Sequence, residues 1–376
     1  MIKQFLQKIF KIISYGIFFK IYGRIEQSKD CNDDNRIKVE AVSIEKHPEY
    51  KYKVYKIKNG RLYTDRIHDT AVILDGKIIE GPSFQQRRHQ NLHIYNSKIS
   101  DNVVFKKGTP RKLRNLSGTV LSLLTGGGGN NNYWHWLFDV LPRLNLCSKV
   151  INLNKVDFFL LPNLLKKFQK ETLDFLNIPE HKRLSSVKFR HIKTNELIVT
   201  DHPVVVSGDA SEDLNNPPVW IIEWLKEKFL NQNLTTNKKK VKIYIDRDLK
   251  NSQQSDQRII ENEKEVKKFL LSHNFVTIQL HNMRFSEQVD LFNNAECIVG
   301  LHGAGFVNSV FSKPGTKVIE LRSLTSGNAI QNISKKNNLN YIPIIVESKK
   351  IDQSNIPNQQ GSYKMPINSL IKEIEN

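Results

Sequence analysis

The chain has 376 residues and a mass of 43.6 kDa, more than one ordinary core holds, so two domains are expected. Its 39% hydrophobic and 25% charged residues are those of a soluble globular protein. The net charge of +19 leaves nucleic acid, an anionic membrane face or phosphorylated substrates as partners, beside a plain lysine-rich bias. Cys31, Cys147 and Cys297 are odd in number and widely spaced, which excludes a disulfide framework or a zinc site and points to a reducing compartment.

Residues 1–27 carry Lys3, Lys8, Lys11, Lys20 and Arg24, which interrupt every apolar run. No transmembrane span fits there, and no small-residue cleavage site marks a signal peptide. The segment is expected as a basic amphipathic helix able to lie in a membrane interface; the plainer alternative is a helix packed on its own protein. A polar break at 28–35 precedes strand-like alternation at 37–44, 50–57, 71–74 and 77–79, with Asp75-Gly76 as a hairpin turn. This gives the first domain a β-rich N-terminal part.

A buried strand at 120–124 runs into Thr125, four glycines (Gly126 to Gly129) and three asparagines (Asn130 to Asn132). Such a backbone approaches a ligand closely, at an entropic cost that a mere connector avoids. In the segment that follows, helical geometry puts His135, Asp139 and Arg143 on one face, each four residues from the next. That polar stripe is either a buried ion pair or a site, and the glycine loop favours a site. Strands and helices alternate at 156–161, 163–176 and 197–200, and a helix spans 219–230. The polar, basic run 232–240 is the expected linker, separating a first α/β domain at 28–231 from a second domain at 241–365. A tail helix is expected at 366–376.

The second half alternates regularly: strands at 241–245, 275–280, 297–299, 317–321 and 341–346, and helices at 258–272, 286–295 and 327–336. Repeated βα units mean a doubly wound sheet. The first strand ends in Asp246-Arg247-Asp248. Two carboxylates hold a divalent metal in one reading; in the other Arg247 neutralises phosphate oxygens at the strand's carboxyl end. Glycines 300, 303 and 305 surround His302 between two apolar runs, a strand–turn–helix start that welcomes an anionic group. Glu320 ends the next strand, where a carboxylate can accept from a ribose diol. A helix beginning with Ser286 as its cap places Glu287-Gln288 in its first turn.

Asn132-x-x-His135…Asp139, Arg247-Asp248, Arg258…Asn262-Glu263, Glu287-Gln288, Gly300-Leu301-His302-Gly303-Ala304-Gly305 with Asn308, and Val318-Ile319-Glu320-Leu321 together resemble the family 61 glycosyltransferases, over roughly residues 115–325. The resemblance implies an α/β, GT-B-like fold with two Rossmann-like domains facing across a cleft. It also implies inverting transfer from a nucleotide sugar without a metal or other cofactor, although Asp246 stands where the family has a small residue. The implied donor-binding residues are Arg247, Arg258, Glu263, His302, Gly303, Ala304, Gly305, Asn308 and Glu320. The acceptor side comprises Gly128, Gly129, Asn132 and Arg143, with Asp139 as first choice for the base and His135 as second. The expected partners are a nucleotide sugar and a glycan or lipid-linked acceptor, with the protein in the cytoplasm at the inner face of the cell membrane. A serine hydrolase lacks its Gly-x-Ser-x-Gly elbow here and a dinucleotide oxidoreductase its Gly-x-Gly-x-x-Gly. A non-catalytic sugar-binding relative and a basic nucleic-acid binder are the remaining alternatives.

Overall fold

The computed structural model describes residues 2–25, 28–64, 69–83, 86–88, 94–96, 98–106, 111–124, 131–230, 240–247, 259–324, 326–346, 348–349 and 362–375. The chain divides into two units, Met1–Asp213 and Leu214–Asn376. That division falls ahead of helix Val219–Leu230 rather than after it. The helix's Phe229 packs edge-on against Phe285 and near Phe311, which draws it into the second unit. The linker expected at 232–240 lies outside the described residues, Lys240 excepted.

The first unit is built on a ten-stranded mixed sheet. Its N-terminal part is antiparallel. Strands Ile37–Ile44 and His47–Lys58 form a long hairpin, and Thr70–Leu74 turns into Lys77–Ile79. Asp75 and Gly76 make that turn with φ of 50° and 75°, the pair of positive values a tight hairpin needs. Four strands of the sheet run parallel, in the order His191–Thr200, Arg114–Ser122, Phe158–Leu161, Arg183–Ser185. The Rossmann-like portion is thus only part of a mixed sheet. The chain steps outward from Arg114–Ser122 twice and then returns to the other side of that strand. The strand order therefore reverses between Arg114–Ser122 and His191–Thr200.

Helix Ile2–Tyr22 rests on this unit through Tyr15, Phe18 and Tyr22. Tyr15 donates its hydroxyl hydrogen to the Val104 carbonyl. The rings of Phe18 and Tyr22 lie 5.4 and 5.8 Å from that of His191. His191 has Arg61 Nε donating to its Nε2 at 2.6 Å and its own Nδ1 against the Arg111 carbonyl at 2.8 Å. Arginine only donates, so the imidazole is neutral with its hydrogen on Nδ1. Burial holds its pKa down at about 4, and burial also holds that of His202 at about 3. Between these values and the ordinary histidine range the unfolded chain binds protons that the folded one does not. Stability is thus full above about pH 6.5 and falls as the pH drops toward about 4. Each histidine contributes a slope of about 1.4 kcal/mol per pH unit there. Urea melts at successive pH values should show this decline, and it should flatten in His191→Gln once that variant's own baseline is subtracted. A melt independent of pH in this window would contradict the neutral assignment.

The second unit carries a five-stranded sheet, all parallel, in the order Phe275–Ile278, Val241–Ile245, Ala295–Leu301, Lys317–Arg322, Asn340–Ile345. Numbered along the chain this is 2-1-3-4-5, the doubly wound order whose reversal lies between the first and third strands. The strands are short apolar runs buried on both faces, as parallel sheets require. Helix Glu263–Ser272 begins later than expected, because Ile259–Ile260 pairs as a strand with Ser362–Tyr363. The terminal helix Ile367–Glu375 is not a detached tail, since its Leu370 sits in the same core cluster as Val299 and Ile319.

Candidate active site

In each unit a histidine held by a buried carboxylate stands where the strand order reverses. In the first unit the chain enters helix at Asn132, whose side chain caps it by accepting from the Trp134 amide at 2.8 Å. The helix is not uniform. Tyr133–His135 is α-helical, Trp136–Val140 is a π turn in which the Leu141 amide reaches the Trp136 carbonyl at 3.1 Å, and Pro142–Ser148 is α-helical again. Pro142 has no N–H to continue the regular ladder, and the turn before it widens.

His135 and Asp139 are brought together as expected, with Nδ1 and Oδ2 2.6 Å apart. Asp139, first choice for the base, is fully buried, while the side chain of His135, the second choice, is 24% exposed. Burial by itself raises the Asp139 pKa, but His135, His202 and Arg143 outweigh it and hold the group below the ordinary carboxylate value. The ionised carboxylate accepts from Nδ1–H, which leaves the lone pair on His135 Nε2. His202, at the end of strand His191–Thr200, faces the same carboxylate at 3.7 Å. The amides of Val204 and Val205 donate to its Nδ1, so its hydrogen is on Nε2, toward Asp139.

Arg143, expected on the acceptor side, is placed in the interior. It is fully buried, donating Nε–H to the Asp139 carbonyl at 2.7 Å and reaching Thr200 and Asp201 with Nη1. It ties the His135 helix to the adjacent strand end. Burial lowers its pKa to about 10, against the opposing pull of Asp139. Gly128 and Gly129 lie outside the described residues.

In the second unit Arg247 follows the first strand and His302 the third, on either side of the reversal. Arg247 Nη2 donates to the His302 carbonyl at 2.5 Å. Gly303 makes room for it, since a Cβ there would fall 1.6 Å from Nη2. Gly300 and Gly305 serve packing instead: a Cβ on the first would press on Ile245 and Phe306, and one on the second on Leu280. Ala304 opens a 3-10 helix, Ala304–Phe311, and the first amides of such a helix have no partner within it.

Glu320, expected at a ribose, is placed in the interior. It is fully buried, one oxygen bonded to His302 Nδ1 and the other to the Tyr341 hydroxyl, with Arg322 3.9 Å away. Through the bond to Nδ1 it holds His302, whose side chain is 14% exposed. Asn308 is likewise internal. It is fully buried and donates at 2.9 Å to Gln288, which in turn donates to the Leu280 carbonyl. Gln288 thereby fastens the glycine turn's helix to the 3-10 turn Leu280–Asn282. Glu287 accepts from the Arg284 amide at 2.7 Å, so the helix Phe285–Asn293 is capped at Arg284 and not at Ser286.

Glu263 joins a separate cluster. Lys267 lies 3.0 Å from Asp246 and 3.5 Å from Glu263, and the Tyr244 hydroxyl also donates to Glu263. Burial raises the Glu263 pKa, while Lys267 and Gln279 overcome burial to lower that of Asp246. The Asp246 carboxylate is thus taken up by Lys267 and Gln279, and Asp248 and Arg258 lie outside the described residues. Tyr341, Arg322, His202 and Lys267 were not legible as site residues. Tyr341 and His202 meet their carboxylates from a different strand or segment, which spacing along the chain does not report.

The two halves can do complementary chemistry. One offers an exposed imidazole with an anion behind it, a general-base arrangement. The other offers a guanidinium, a second fixed imidazole and helix-start amides, an anion-binding arrangement. A search of curated proteins gives no match to the chain. The family model described as Glycosyltransferase 61 does match, over residues 133–319. That span opens one residue after Asn132, takes in His135, Asp139, Arg247 and His302, and ends inside the strand Lys317–Arg322, one residue before Glu320. With the paired histidine sites inside the matched span, the chain belongs to glycosyltransferase family 61, and its activity is glycosyl transfer.

Proposed function

We propose that the protein is an inverting glycosyltransferase that moves a sugar from a nucleotide-sugar donor to a glycan or lipid-linked acceptor in surface polysaccharide synthesis. The division of labour is that of a GT-B enzyme. In this reading the second unit holds the donor diphosphate with Arg247, His302 and the amides at Ala304 and Gly305. These groups stabilise charge developing on the leaving diphosphate, usually the largest contribution to such catalysis. Because Arg247 supplies the cation, the reading includes no obligatory metal.

The observation that carries the proposal is the His135–Asp139 pair. An inverting displacement needs a base to take the proton of the attacking acceptor hydroxyl. His135 Nε2 takes it, and the buried Asp139 anion stabilises the imidazolium that results. Asp139 and Arg143 act through His135 as positioning residues. The test is a panel of nucleotide sugars, screened by thermal stabilisation and by donor hydrolysis, followed by NMR of the product anomer. The expected result is stabilisation by one class of nucleotide sugar and a product of inverted configuration. Stabilisation with no transfer to any acceptor would favour a sugar-binding relative, and retention of configuration would remove the direct displacement.

A further inference from the structure

We infer that helix Ile2–Tyr22 seats the protein on an anionic lipid bilayer, through the face that it turns away from its own unit. Two faces of this helix are apolar, and only one is used. Tyr15, Phe18 and Tyr22, spaced by three and four, form the face packed on His191, Arg61 and Val104. Leu6, Ile9, Phe10, Ile13, Ile17 and Ile21, also spaced by three and four, form a second stripe whose members are 39% to 66% exposed. At 3.6 residues per turn the two stripes stand about 150° apart. The larger apolar stripe is therefore not a core face, because the helix is already fixed to its own protein by the other side.

Charge selects what covers it. Lys3, Lys8, Lys11, Lys20 and Arg24 lie in or beside the helix, and no acidic residue precedes Glu26. A second copy of the same helix would bring these cations together with no carboxylate in either helix to pair them. An anionic headgroup layer neutralises Lys3 and Lys20, which stand on the side of the stripe, while the acyl boundary takes the stripe itself. Lys20 falls within the stripe, where its stem lies along apolar surface and its ammonium reaches the headgroups. None of the described helices is long and apolar enough to cross a membrane, so this one lies in the plane of the interface. The inference does not rest on the catalytic reading.

The experiment is co-sedimentation of the full chain with phosphatidylcholine vesicles, with and without phosphatidylglycerol. Binding is expected only with phosphatidylglycerol present, and it should weaken with salt. Phe10→Asp with Ile13→Asp, both at exposed positions, should lower partition at least about tenfold at an unchanged thermal midpoint, and Lys3→Glu with Lys20→Glu, both on the side of the stripe, should do the same. Undiminished partition of the Asp variant overturns the proposal, as does equal binding to neutral vesicles. A dimer in sedimentation velocity that the Asp variant dissociates would assign the stripe to a second copy instead.

Discussion

Replacing His135 by asparagine is expected to lower sugar transfer about 10²–10⁴-fold, the range that a positioned general base contributes, while donor affinity measured by calorimetry stays as it was. The substitution keeps the size and polarity of a side chain on a partly exposed helix turn, so the fold should survive. Asp139→Asn is expected to reach a similar floor by another route. A neutral amide facing Nδ1 removes the anion behind the imidazole and no longer selects the tautomer that leaves Nε2 free. The two changes act on one unit, so the double variant should fall no further than His135→Asn alone. If Asp139 were itself the base, His135→Asn would retain most of the transfer and Asp139→Asn would not. Transfer assays on the three variants separate these cases.

Arg247→Ala should weaken donor binding and, because the guanidinium also offsets charge on the leaving diphosphate, slow transfer at saturating donor as well. A hydrogen bond from a charged donor is worth about 1.5–3 kcal/mol, so nucleotide-sugar affinity should drop roughly 10- to 100-fold. Gly303→Ala should move in the same direction without touching the arginine itself. The added methyl would overlap the guanidinium, which must swing away from the His302 carbonyl it now meets. Calorimetric titration with the donor reads both. Unchanged affinity in Arg247→Ala would remove Arg247 from the diphosphate site, and unchanged affinity in Gly303→Ala alone would show that the side chain relocates without losing the ligand.

The elements of the second unit were legible because each signal is local. Strands 241–245 and 317–322 are apolar runs bounded by polar or glycine-proline stretches, and His302 stands in a glycine run directly after a strand. What misled was non-local. Glu320 reads as an exposed strand-end acid until the parallel register puts Tyr341 beside it, 21 residues on. Arg143 reads as a third member of a polar stripe until Thr200, 57 residues on, claims its guanidinium. The start of helix Glu263–Ser272 is displaced by pairing with a strand roughly a hundred residues later. The pairing of His135 with Asp139 was visible from spacing alone, but which of them meets solvent depends on burial, which spacing does not report.

The widened turn at Trp136–Val140 makes chain length between His135 and Arg143 a functional quantity. Arg143 is clamped to the end of strand His191–Thr200, so everything before it is measured from a fixed post. The widened turn already takes up one extra residue, so a further inserted residue would not be absorbed and would rotate what precedes it by about 100°. His135 would then point away from wherever its imidazole now aims, though no side chain of the pair had changed. The segment should therefore tolerate exchange of its buried apolar side chains far better than an insertion.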